Sequence, residues 1–146
     1  MPWLTTSPVM TAAKLPFGRF FTTAVASDSH DMVTSAHRTP CATQLATAVV
    51  KNLPKGSFAA VITGDVVSHG KPHPEPYLAA ARLLGVDLGA CIAIEDSPPG
   101  VASAVAAGIP TIAVPHHVMV PETMGAVQIS TLASLEPQDL LLLFRQ

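Results

Sequence analysis

Gly70-Lys71-Pro72-His73-Pro74-Glu75-Pro76-Tyr77 opens the stretch whose reading decides the fold, and Ile94-Glu95-Asp96-Ser97-Pro98-Pro99-Gly100 closes it. Between them runs a helix pattern over 74–84, with prolines in its first turn and Gly85 as its C-terminal stop. A turn and a short apolar strand pattern, Cys91–Ile94, follow. A lysine therefore enters a helix, and an acidic pair sits at the C-terminal end of a strand. In open α/β sheets those strand ends are where ligands bind. A lysine holds phosphate as a point charge, and carboxylates together with phosphate oxygens hold Mg²⁺. The local reading is a phosphate-and-magnesium site made by Lys71, Glu95 and Asp96.

Outward from this stretch the β/α alternation continues. Phe58–Thr63 reads as an apolar strand closed by Gly64-Asp65. Pro98-Pro99 start a helix of small residues that ends near Ala107-Gly108. Thr111–Val114 reads as a further strand, Val127–Ile129 as a fourth, and a terminal helix starts at Pro137. Strands alternating with helices specify an α/β fold with a parallel sheet. The strands 58–63, 91–94 and 111–114 are expected as neighbours, with Lys71, Glu95 and Asp96 near their C-terminal edge. Upstream, Thr39-Pro40 reads as a helix start and 41–53 as the helix. Phe20–Ala26 is rich in β-formers. Residues 1–19 show no period and carry Pro2, Pro8, Pro16 and Gly18, so they read as loop. The chain divides into a divergent segment over 1–38 and an α/β part over 39–146.

Composition bounds the function. The chain has 146 residues, 49% of them apolar and 12% charged, which suits a buried sheet and not a disordered chain. A net charge of −2 gives no electrostatic reason to expect nucleic acid or an acidic membrane as partner. No apolar run reaches the ~18 residues of a membrane helix. Phe20–Ala26 before Ser27 has only a faint likeness to the end of a signal peptide, and a cytoplasmic protein is expected. Cys41 and Cys91 have no metal or redox spacing and read as free thiols. The six histidines, His69, His73 and the pair His116-His117 among them, show no coherent ligand set and are assigned to loops. No Gly-x-Gly-x-x-Gly follows any strand, which argues against a dinucleotide-binding domain.

Taken together, Gly-Lys-Pro-x-Pro-Glu-x-Tyr at 70–77, Leu84-Gly85-Val86, Ile94-Glu95-Asp96-Ser97-Pro98-x-Gly100, Ala106-Ala107-Gly108-Ile109 and Ile112-Ala113-Val114-Pro115 carry a resemblance. They resemble the haloacid dehalogenase (HAD) superfamily of phosphohydrolases, in the subgroup of β-phosphoglucomutase and small sugar-phosphate phosphatases. The resemblance implies a Rossmannoid three-layer core and Mg²⁺-dependent hydrolysis of a small phosphomonoester such as a sugar phosphate. It gives Lys71 the role of steadying the nucleophile and the transferred phosphoryl group. Asp96 becomes a Mg²⁺ ligand, and Glu95 a second ligand or its outer-shell partner. It also implies a phosphate-binding Ser or Thr upstream. Ser35, in Val33-Thr34-Ser35, is preferred for its spacing to Phe58, with Ser27 as the rival. A monomer acting on a small phosphorylated metabolite is expected.

The family attacks phosphorus with an Asp of an Asp-x-Asp-Gly motif, whose second Asp acts as general acid and base. This sequence contains no such motif. The nearest stretch, Ala26-Ser27-Asp28-Ser29-His30-Asp31, offers Asp28 as a nucleophile candidate and puts His where the second Asp belongs. The helical cap of the family has no counterpart either. The chain thus resembles the C-terminal part of a HAD core, and a catalytically inactive relative that binds phosphate or a partner protein stands beside the phosphatase reading.

Overall fold

A computed structural model of the protein describes residues 9–14, 20–25, 51, 59–115, 118–133 and 135–144. The strands are β1 (Val9–Lys14), β2 (Phe20–Val25), β3 (Val61–Thr63), β4 (Cys91–Glu95), β5 (Thr111–Ala113) and β6 (Val127–Gln128). They join in one sheet of order β3-β1-β2-β4-β5-β6. Three α-helices are described over their full length, α1 (Glu75–Leu84), α2 (Pro98–Ala106) and α3 (Pro137–Leu142). Of the helix expected over 41–53, only Lys51 is described, and it is helical. No helix among the described residues is long and apolar enough to cross a membrane.

The expected parallel sheet is present in β2, β4, β5 and β6. Each pair is linked through intervening segments long enough for crossovers, as parallel pairing demands. Two expectations are corrected. Residues 9–14, read as loop, form β1, which is hydrogen-bonded antiparallel to both β2 and β3. In consequence β3 is not a neighbour of β4; β1 and β2 lie between them. The sequence Val-Met-Thr-Ala-Ala-Lys has little strand preference of its own. Two flanking ladders supply what intrinsic propensity does not. The signal that was present is Pro16 and Gly18 between two strand-length runs, a hairpin pattern read only as punctuation.

β4 lies inside the sheet and is buried along its whole length. Its side chains alternate between faces, as strand geometry requires. Cys91 and Ala93 pack with Tyr77 and Ala80 of α1 and with Ala104 of α2. Ile92 and Ile94 pack with Ile112 and Leu140, so α3 covers the other face. The result is three layers, with α1 and α2 on one side of the sheet and α3 on the other. The same alternation sends Glu95 toward the α1/α2 side. Asp96, one residue past the strand, is exposed.

Helix ends are set by local chemistry. α1 closes at Gly85, whose φ of 64° is left-handed and suits glycine, while its N–H donates to the carbonyls of Ala81 and Arg82. α3 starts with a capping box between Glu136 and Asp139. α2 is rich in small residues and packs close to the sheet. The buried Ser103 on it donates its Oγ hydrogen to the His73 carbonyl at 2.6 Å. That bond ties α2 to the loop that carries Lys71. Ser103→Ala is expected to cost about 1 kcal/mol by removing this donor. Urea unfolding of the two proteins measures it, and an unchanged midpoint would show that the loop is held by other contacts.

Candidate functional site

The site is built from the end of β4 and the loop that enters α1. Lys71 Nζ lies 2.5 Å from Glu95 Oε1, and the side chains are 2% and 0% exposed. The Tyr77 hydroxyl donates to the same oxygen. Tyr77 is itself buried, and its ring lies 5.6 Å from the Lys71 ammonium. One carboxylate oxygen thus receives an ammonium and a phenol, both supplied within two turns of the α1 N-terminus. The sequence places them there because Lys71 precedes the helix and Tyr77 sits in its first turn, on the face toward β4.

Electrostatics follow from burial. Desolvation raises the Glu95 pKa, while the Lys71 charge and the Tyr77 hydrogen bond pull it back. Burial, reinforced by the Glu95 charge, pushes the Tyr77 phenol well above its ordinary range, so it remains a donor. Removing that donor by Tyr77→Phe is expected to cost about 1.5–3 kcal/mol, the range for hydrogen bonds to charged groups. Thermal unfolding tests this, and an unperturbed Tm would mean that the hydroxyl does not reach Glu95. On the same face, burial and then Asp87 raise the Cys91 thiol pKa, and Sγ donates to the Asp87 carbonyl at 3.3 Å. Such a thiol stays protonated and unreactive.

Gly100 is required by close approach. A Cβ there would fall on the Glu95 carboxylate. Two buried oxygens near the turn, Glu95 Oε2 and Ser97 Oγ, have no hydrogen-bond partner among the described residues. Buried oxygens without a donor are what a hard cation satisfies. Together with the carboxylate of the exposed Asp96, between them in the chain, these oxygens are donors of the kind Mg²⁺ takes.

The structure brings Lys71 and Glu95 into direct contact at the C-terminal end of β4, and Asp96, which follows Glu95 in the chain, is exposed. Ser35, Ser27 and Asp28 lie outside the described residues. Sequence reasoning missed the parts played by Tyr77 and Ser103. Tyr77 was within reach of it, as an aromatic in an otherwise aliphatic helix face six positions after the lysine. Ser103 gave no signal among the small residues of α2.

A parallel-stranded core with helices on both faces defines a Rossmannoid α/β class. The family model for haloacid dehalogenase-like hydrolases matches residues 22–108, more than half of the chain. The chain belongs to that family. The plasmid-encoded CbbY protein of Cupriavidus necator is 46% identical over 61 residues, 42% of this chain and 24% of that protein. Hexitol phosphatase B of Escherichia coli K12 is 36% identical over 94 residues, 60% of this chain and 40% of that enzyme. Among solved structures, a candidate β-phosphoglucomutase from Bacteroides vulgatus aligns with a TM-score of 0.51 and 33% identity. That alignment covers 58% of this chain and 37% of the other. The match thus spans two fifths or less of the length of these relatives.

Proposed function

We propose that the chain carries the phosphate- and metal-binding part of a Mg²⁺-dependent phosphohydrolase site for a small phosphomonoester such as a sugar phosphate. The observation that carries this is the Lys71 ammonium fixed on the buried Glu95 carboxylate at the C-terminal end of β4. The similarity to hexitol phosphatase B supports the substrate class. Lys71 has three N–H donors, and Glu95 orients the group so that its charge serves the phosphoryl oxygens. Asp96 and the unpartnered Glu95 Oε2 would hold Mg²⁺, which when bound supplies charge neutralisation for the transferred group. Tyr77 keeps Glu95 in place without competing for phosphate. Ser35, or Ser27 in its stead, would add a hydroxyl donor to the phosphate.

A second reading, binding without turnover, is favoured by one sequence fact: no Asp-x-Asp-Gly is present to form an aspartyl-phosphate. The experiment separates the two. Hydrolysis of p-nitrophenyl phosphate with and without Mg²⁺ is measured for the wild type, Asp96→Asn and Asp28→Asn, alongside calorimetry with inorganic phosphate. We expect turnover barely above background, and weak Mg²⁺-dependent phosphate binding that Asp96→Asn abolishes. Robust turnover lost in Asp28→Asn would establish Ser27–Asp31 as a working nucleophile loop and discard the second reading. Neither binding nor turnover would discard both.

A further inference from the structure

We propose that His69, His73 and Glu75 form a separate site for a borderline-soft divalent cation such as Zn²⁺, on the segment that carries Lys71. One ligand atom from each of the three residues lies within 4.8 Å of the other two. The His69 and His73 rings are 4.6 Å apart, centre to centre. Glu75 Oε2 is 2.8 Å from His69 Nδ1 and 4.0 Å from His73 Nδ1. Ligands about 2.0–2.2 Å from a shared tetrahedral ion stand roughly 3.4 Å apart. His73 Nδ1 accepts the Glu75 amide at 3.2 Å, and both imidazoles are more than half exposed, so rotation of the His73 ring that exchanges this bond for the ion closes the set.

The carboxylate is already oriented for this. Glu75 Oε1 accepts the Ser68 amide at 2.8 Å, and Oε2 accepts the His69 amide at 2.9 Å. A carboxylate offers about four lone-pair positions, so a cation can take the place of the His69 ring contact without displacing either amide. The amides then act as the outer shell that fixes a metal-bound carboxylate.

The donor set distinguishes this site from the one at Asp96. Two imidazoles and one carboxylate suit Zn²⁺, Co²⁺ or Ni²⁺, whereas Mg²⁺ takes oxygen donors. Three protein ligands at an exposed position leave a fourth place for water. Because His69 and His73 flank Lys71 in the chain, a bound ion would clamp both ends of the lysine's segment.

The test uses the full chain, dialysed against EDTA and titrated with Co²⁺, whose visible absorption reports tetrahedral nitrogen-and-oxygen ligation, with Zn²⁺ as competitor. One Co²⁺ per chain, displaced by Zn²⁺ and not by excess Mg²⁺, is expected. His69→Ala and His73→Ala should each weaken binding at least as much as loss of an outer-shell partner does, ~10–100-fold. Glu75→Gln should do so too, whereas Asp96→Asn and His116→Ala/His117→Ala should bind as wild type. Circular dichroism of each variant excludes unfolding as the cause. Absence of Co²⁺ and Zn²⁺ binding in the wild type, or binding that survives in His69→Ala/His73→Ala, overturns the proposal. Loss of this site with phosphate binding intact would uphold it independently of the Asp96 site.

Discussion

Lys71→Met is expected to lower the stability of the fold by about 3–5 kcal/mol, the cost of leaving a buried charge without its partner. The reason is the near-complete burial of both groups. Glu95 sits on the α1/α2 side of β4 with no exposed side-chain surface, and its bonded oxygen is held by Lys71 and Tyr77. Without the ammonium, the carboxylate must either take up a proton or draw water into a packed layer. The companion variant Lys71→Met/Glu95→Leu/Tyr77→Phe removes the charges and the phenol together. It should recover most of the loss, because a buried ion pair replaced by apolar groups of similar volume is often neutral or stabilising. Urea denaturation measures both, and phosphate calorimetry on the triple variant should show no binding. This separates the structural role of Lys71 from the proposed phosphate-binding one. Stability should return with the apolar triad, and the proposed phosphate binding should not. A single-variant loss under ~1 kcal/mol, typical of a surface ion pair, would show that the pair is solvated.

Gly100→Ala carries the second large effect, and its sign is the informative part. Gly100 lies in the first turn of α2, where exchanging Gly for Ala in a helix would ordinarily gain up to ~1 kcal/mol. Here the added methyl meets the Glu95 carboxylate. Overpacking costs ~1–3 kcal/mol, and a displaced Glu95 also weakens hydrogen bonds to a charged group worth ~1.5–3 kcal/mol. The clash outweighs the propensity, so a net loss of about 2 kcal/mol or more is expected. Phosphate affinity should fall as well, since Lys71 follows Glu95. Chemical denaturation that instead finds Gly100→Ala more stable would show that the carboxylate has room to move and that the glycine serves only the turn.

Much of this architecture was legible because it is local. Prolines in a first turn and a glycine at a left-handed stop mark α1 wherever the chain goes. The all-apolar run before Glu95 marks a strand covered on both sides. The spacing of Lys71, Glu95 and Asp96 around those elements sufficed to place a lysine and a carboxylate together at a sheet edge. What the sequence could not decide are matters of pairing and of face. β1 has no pattern of its own and exists as a strand because β2 and β3 offer ladders on both sides, which also moved β3 away from β4. Two adjacent acids look alike in sequence. Only strand parity, fixed by packing against α1 and α2, sends Glu95 inward to hold Lys71 and leaves Asp96 facing solvent. Likewise, His69, His73 and Glu75 meet because the turn before α1 folds back on Glu75 through the Ser68 and His69 amides. Spacing along the chain does not record that turn; a backbone whose N–H groups must find acceptors does.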